Sequence, residues 1–366
     1  MTHWNKKLAL KLALILIPVF LFAILGSYYV GYNEGRFNTH VPEARDIVEG
    51  SYIIWNDDTT VYAKNGRTGE IDFTDQNASG VIQSAIDAMA STRRKGEILL
   101  KAGTYNITNS IMLRGGGIRL VGEGISQTTL KASKDLQANI IEFVPIDERE
   151  SFDGLRDLQI WGAARSGGTV GHGIYVSTVL GGLPSDFSIE QVYVRECAQD
   201  GMHLENVWGF KIMNCISEHN LGEGLFMKGS RQATIINSFI AYNEGTYGLS
   251  IRTGTDNVIV QSCTIYQNMK TGVFIGGAGN VLTSNVIRNN SQATVGGYSG
   301  LWLDTSGNHT LVNANVIEGD SQQLYGIYML SNDNIVTANQ IDWNSVQIFN
   351  NGTGNIISNN EGQRAH

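Results

Sequence analysis

The chain has 366 residues, including 43 glycines, 4 prolines and 3 cysteines, with 16% charged residues and a formal net charge of −8. That balance offers no basic surplus to displace counterions from phosphate and argues against a nucleic-acid partner. Three thiols cannot make a disulfide framework, and abundant glycine with little proline or charge fits a turn-rich β chain.

At the N-terminus, Lys6, Lys7 and Lys11 lead into Leu12 to Val30, a stretch without formal charge. At a helical rise of about 1.5 Å per residue it nearly crosses a bilayer. Basic residues before it and Glu34, Glu43 and Asp46 after it orient the N-terminus to the cytoplasm and the body outside. The stretch lacks a small-x-small site at its end, so it reads as an uncleaved single-pass anchor rather than a signal peptide. The expected location is the cell membrane, with the body extracellular. Residues 1–31 then form a cytoplasmic tip and transmembrane helix, and the polar, aperiodic residues 32–50 a linker.

Within 51–75, Tyr52-Ile-Ile-Trp55 and Thr60-Val-Tyr-Ala63 flank Asn56-Asp-Asp58 and predict a β-hairpin. Ala78 to Met89 places Val81, Ile82, Ala85, Ile86 and Met89 at the spacing of an amphipathic helix. Because an open solenoid end exposes strand edges and core side chains, a helix here reads as an N-terminal cap.

Residues 76–366 are read as one β-helix, because a glycine followed by alternating apolar residues recurs seven times: Gly173-Ile-Tyr-Val176, Gly201-Met-His-Leu204, Gly224-Leu-Phe-Met227, Gly248-Leu-Ser-Ile251, Gly272-Val-Phe-Ile275, Gly300-Leu-Trp-Leu303 and Gly326-Ile-Tyr-Met329. The glycines are 28, 23, 24, 24, 28 and 26 residues apart, a period that marks stacked coils. Between them lie runs such as Cys215-Ile-Ser-Glu-His-Asn220 and Asn285-Val-Ile-Arg-Asn-Asn290, too short for helices, so the coils are all β. Stacking puts like positions in columns. Two columns are expected to be structural ladders: Cys215, Ser238, Cys263, Asn285, Asn315, Asn339, and Asn220, Asn243, Asn268, Asn290, Asp320, Asn344. The second is expected at a turn, where its residues would tolerate left-handed backbone. Cys215 and Cys263, two coils apart, are expected as packed, unbridged thiols. Sequons at Asn77, Asn106, Asn289, Asn308 and Asn351 permit glycosylation without requiring it.

The segments Ile82-Gln-Ser-Ala-Ile-Asp87, Ala102-Gly-Thr-Tyr105 and Leu120-Val-Gly-Glu-Gly124, followed by the coils, resemble the pectate lyase superfamily over roughly residues 70–360. That resemblance implies an all-β, right-handed parallel β-helix. It leaves the reaction open, because the superfamily holds lyases, hydrolases, epimerases and non-catalytic surface proteins. Trimers occur among such proteins, so a homotrimer is one expected state. The block Tyr52 to Phe73, with Tyr62-Ala-Lys-Asn-Gly66 and Gly69-Glu-Ile-Asp-Phe73, is similar to a segment preceding the β-helix in uncharacterised archaeal surface proteins.

If the apolar residues after each glycine point inward, the residue between them points out. The resulting column is Tyr175, His203, Phe226, Ser250, Phe274, Trp302 and Tyr328, and two positions on come Ser177, Glu205, Lys228, Arg252, Gly276, Asp304 and Leu330. Aromatic rings with polar neighbours suit sugar binding. Tyr175, Glu205, Phe226, Phe274, Trp302, Asp304 and Tyr328 are therefore the expected substrate contacts. Asp200 and Glu223, just before their glycines, join His203, Lys228 and Arg252 as the expected catalytic cluster.

Two chemistries are open to that cluster. Asp200 and Glu223 can act as the acid and base of a glycoside hydrolase. Alternatively, Arg252 or Lys228 removes the C5 proton of a uronate while carboxylates, with Ca²⁺ as the one cofactor in view, neutralise the sugar acid, as in a polysaccharide lyase. Gln199-Asp200-Gly-Met-His203 is similar to the polygalacturonase strand carrying two aspartates, with Gln199 at the first. His172, His219 and His309 lack metal-ligand spacing, so no protein-held metal is expected. The expected partner is a polysaccharide, and the rival expectation is a non-catalytic surface or adhesion protein.

Overall fold

The computed structural model describes residues 52–93, 95–144, 153–177 and 186–362. The expected membrane span and linker lie outside the described residues, among which no helix is long and apolar enough to cross a membrane.

Strands β1 (Tyr52–Asn56) and β2 (Val61–Asn65) pair antiparallel, and β3 (Ile71–Asp75) adds to β2. Asp57 shapes the first turn by accepting the Thr59 and Thr60 backbone N–H groups at 3.2 and 2.9 Å. β1 also pairs in parallel with Gly96–Leu100, so the hairpin is continuous with the coils. Helix α1 (Ala78–Ser91) starts where the Asn77 side chain accepts the Gly80 N–H, which satisfies one orphan donor of the first turn. Its face of Val81, Ile82, Ala85, Ile86 and Met89 is buried; each large apolar side chain contributes about 1.5–3 kcal/mol of gross burial energy. The helix closes the N-terminal end of the stack.

The coils build three walls. The first is a ten-stranded parallel sheet from Ile111–Leu113 to Val346–Asn350 that contains the seven glycine-led segments. The other two walls begin as pairs of short strands, Gly96–Leu100 with Gly103–Ile107 and Ile118–Val121 with Thr128–Ala132, fuse into the eight-residue strands Gly154–Trp161 and Ser188–Arg195, and divide again from Lys211 onward into pairs of three-residue strands. Inward positions such as Ile174, Val176, Leu249 and Ile251 have no exposure. At the C-terminal end no helix covers the stack among the described residues, and Val346, Phe349 and Ile356 are exposed.

Each corner between walls carries a hydrogen-bonded ladder. In one, Cys215 N–H donates to Ser238 Oγ, and Cys263, Asn285, Asn315 and Asn339 each donate to the amide oxygen one coil on, ending at Asn360. In the second, Asn220, Asn243 and Asn268 donate through both backbone N–H and Nδ2 to the next amide oxygen, as far as Asn290. Asp320 does not continue it. Gln323 accepts from Asn290 N–H at 3.1 Å and donates to Asn344 Oδ1 at 2.7 Å. The longer turn before Gly326 carries Asp320 out to solvent, and a carboxylate could not have supplied the donor that each rung needs. A third corner, not read from the sequence, uses Ser230, Thr255, Asn280, Asn334 and Asn355. Left-handed backbone falls one position before the ladder residue, at His219, Tyr242, Gln267, Asn289 and Trp343.

The glycine and asparagine recurrences explain each other. A β-carbon at Gly272 would lie 2.6 Å from Asn290 Nδ2 and 2.7 Å from the Gly300 carbonyl oxygen. Gly201, Gly224 and Gly248 meet Asn220, Asn243 and Asn268 in the same way. None of these glycines has a positive φ, so space and not backbone conformation excludes a side chain. The three cysteines are free and buried; burial pushes the Cys215 thiol up to about 12 and Cys263 to about 11, and raises Cys197 as well.

Candidate functional site

The first wall aligns the outward column residue by residue: Tyr175 beside His203, then Phe226, Ser250, Phe274, Trp302 and Tyr328, and beyond it Phe349. Its rings are not equivalent. His203 stacks on Phe226 with centroids 4.2 Å apart and planes 10° apart, and also on Tyr175 at 5.3 Å, so these rings cover one another's faces and turn their edges outward. Trp302 meets Phe274 and Tyr328 at 84° and 76°. Phe274, expected as a sugar contact, is only 7% exposed, because Tyr247 packs on it at 4.5 Å and Arg252 lies over its ring.

The ionisable cluster spans four consecutive coils. Asp200 accepts the Glu223 backbone N–H through Oδ1 at 2.7 Å, while Oδ2 lies 2.8 Å from His203 Nδ1 and 3.4 Å from His172 Nδ1. Glu223 is buried; its two carboxyl oxygens are taken by the Arg252 guanidinium and the Ser250 hydroxyl. Burial pushes Glu223 up to about 7, against the opposing pull of Arg252 and Ser250. All four carboxyl oxygens of Asp200 and Glu223 are thus engaged by protein groups.

Arg252 is held by Glu223, Ser250 and three rings, with its side chain 30% exposed. Its Nε donates to Ser250 Oγ at 3.2 Å, and its guanidinium sits 4.6, 5.3 and 5.4 Å from the ring centres of Tyr247, Phe226 and Phe274. Such a box immobilises a cation through the negative ring faces. Lys228 is its register neighbour on the preceding coil, since Arg252 N–H donates to Met227 O. The Lys228 side chain is 60% exposed, and its ammonium lies 3.7 Å from Glu205 Oε1. The same Glu205 oxygen is 3.7 Å from His203 Nε2. Asp304 lies further along the wall, where its N–H donates to Ile275 O.

Two members of the site were not among the expected site residues: Tyr247 went unnamed, and His172 was set aside as a metal ligand for want of spacing. His172 and Tyr247 occupy the position just before a wall glycine, as Asp200 and Glu223 do, and following that column one coil in each direction would have named both. His172 lies against His203, with centroids 4.3 Å apart, and burial holds its imidazole down to about 4, against the pull of Asp200.

Residues 172–299 match the family model described as right handed beta helix region. Mannuronan C5-epimerase AlgE1 of Azotobacter vinelandii is 25% identical over 208 residues, 54% of this chain and 15% of that protein. AlgE5 of the same organism is 24% identical over 54% of this chain and 21% of its own length. The chain thus spans about a fifth or less of these relatives. The A-module of A. vinelandii AlgE6 superposes with a TM-score of 0.52 at 21% identity, over 76% of this chain and 95% of that module. DFA-IIIase from Arthrobacter chlorophenolicus A6 superposes at 0.56 with 11% identity, over 78% and 94%. The chain is a right-handed parallel β-solenoid whose coils are similar in sequence to mannuronan C5-epimerases.

Proposed function

We propose that the chain is a membrane-anchored, extracytoplasmic β-helix, held by Leu12–Val30, that binds a uronate-containing polysaccharide along its first wall and removes the C5 proton of a bound sugar. The observation that carries this reading is the immobilised guanidinium of Arg252 beside the solvent-exposed Lys228. The Lys228 amine, once deprotonated, takes the C5 proton. The electron pair left at C5 delocalises into the sugar carboxylate, where the fixed Arg252 charge stabilises it. The C4 oxygen then leaves as the hydroxyl of the released chain, taking the proton from the Lys228 ammonium, and gives an unsaturated lyase product; a proton delivered from water to the other face of C5 gives an epimer instead.

Hydrolysis by Asp200 and Glu223 is less well supported, because a glycosidase pair must face the scissile bond with free oxygens and these four oxygens are engaged within the wall. The names of the epimerase relatives point to the same C5 chemistry. The stacking of His203 on Phe226, which leaves only ring edges outward, favours, as a second reading, a non-catalytic surface protein.

The test is incubation of the full chain with uronate and neutral glycans. Unsaturated products are followed by ultraviolet absorbance, and C5 exchange by NMR in deuterated water. The expected result is one of these signals on uronate glycans alone, lost in Lys228→Met and Arg252→Met. Binding without either signal supports the second reading. Reducing ends released only from neutral glycans, or activity undiminished in both variants, refutes proton removal.

A further inference from the structure

We propose that His172, Asp200 and His203 form a binding site for a divalent transition-metal ion. One donor atom from each lies within 4.8 Å of the others. Around an ion with ligands at about 2.1 Å, tetrahedral donors are separated by about 3.4 Å. Asp200 Oδ2 stands 3.4 Å from His172 Nδ1 and 2.8 Å from His203 Nδ1, so small shifts bring the three donors into that geometry.

The surroundings prepare these groups as ligands. The Asp200 carboxylate is anchored through Oδ1 by the Glu223 N–H, which directs Oδ2 toward both imidazoles; such outer hydrogen bonds orient ligands and support affinity. His172 is fixed by its backbone N–H, which donates to Asn139 Oδ1. Its Nδ1 accepts the Asp200 backbone N–H at 3.1 Å, so this nitrogen carries a lone pair and no proton, and an ion binds there by displacing that N–H. The ligand side chains are 13–15% exposed, so an ion can enter from the outer face.

Two imidazoles and one carboxylate select zinc-like ions over calcium, which takes six to eight oxygens. The Ca²⁺ considered from the sequence therefore fits this donor set poorly. His172 and Asp200 are 28 residues apart and meet only because consecutive coils stack, which is why spacing along the chain did not point to them.

Untagged full-length protein in detergent is freed of metal with a chelator, then titrated with Co²⁺ by visible absorbance and with Zn²⁺ by calorimetry. The expected result is one ion per chain, tetrahedral or five-coordinate Co²⁺ bands, and affinity at least about tenfold weaker in both His172→Asn and His203→Gln. Circular dichroism and melting of the metal-free proteins check that each variant folds, and a Zn²⁺-induced rise in melting temperature, absent in folded variants and not produced by Ca²⁺, is a second readout. No saturable binding, or binding unchanged in both folded variants, overturns the site.

Discussion

Replacing Gly272 by alanine tests the link between the wall glycines and the corner ladder. The new methyl group would sit 2.6 Å from Asn290 Nδ2 and 2.7 Å from the Gly300 carbonyl oxygen, where ordinary contact needs about 3.5 Å. One obstacle is backbone and the other is an amide tied down on all sides. Asn290 accepts from Asn268 N–H and Nδ2, donates through Nδ2 to Ile265 O, and donates its N–H to Gln323. Overpacking costs about 1–3 kcal/mol, and weakening one or two of these buried hydrogen bonds adds about 1 kcal/mol each. The stiffer unfolded chain returns about 0.4–1 kcal/mol. The expected net loss is about 2–4 kcal/mol, measured by urea unfolding of wild type, Gly272→Ala, Asn290→Ala and the double variant. Because Asn290→Ala removes half of the obstruction, Gly272→Ala should cost about 1 kcal/mol less in that background. A single-variant loss below about 0.5 kcal/mol, or strict additivity in the cycle, refutes the steric account.

Gln323→Ala should destabilise by about 1–3 kcal/mol, since it orphans the Asn290 N–H and the Asn344 Oδ1, while Asp320→Asn, which keeps a residue that tolerates the left-handed backbone there, should fall within about 0.5 kcal/mol of wild type; urea midpoints of the two variants decide. Glu223 has a folded pKa of about 7, above its unfolded value, so its contribution to stability is full below about pH 4 and is lost as pH rises through 7. In chelator, wild type should therefore lose up to about 3 kcal/mol between pH 4 and pH 8 relative to Glu223→Gln, and parallel pH profiles for the two proteins would contradict it. The buried thiols, with Cys215 pushed up to about 12 and Cys263 to about 11, should not react with a disulfide reagent at pH 8 until the chain is unfolded, when all three titrate.

Stacking was legible in the sequence because Gly173 through Gly326 and the amides from Asn220 to Asn344 repeat, and repetition survives small changes of period. Where the period slips, counting fails. Asp320 sits at the counted position, but the lengthened turn hands the rung to Gln323. Phe274 faces outward in register, yet its burial depends on Arg252 and Tyr247 folding over it, a tertiary event that no strand alternation encodes. The sequence also separated His172 from Asp200 by a whole coil and so concealed their contact. The inward and outward sides of the wall strands were readable because side-chain alternation in a strand is fixed by the backbone.

Among the described residues α1 covers one end of the stack and no helix covers the other, which gives the stack a direction. Unravelling from the N-terminus first requires the buried face of α1 to be pulled into water, whereas Val346–Asn350 and Ile356–Ser358 each bond to only one neighbouring coil. Amide exchange and protease cuts should therefore begin at the distal rungs and move toward Trp302, reaching Arg252 and Lys228 only after several coils have opened. The chemistry sits well inside the stack, where fraying of the tip leaves its register undisturbed.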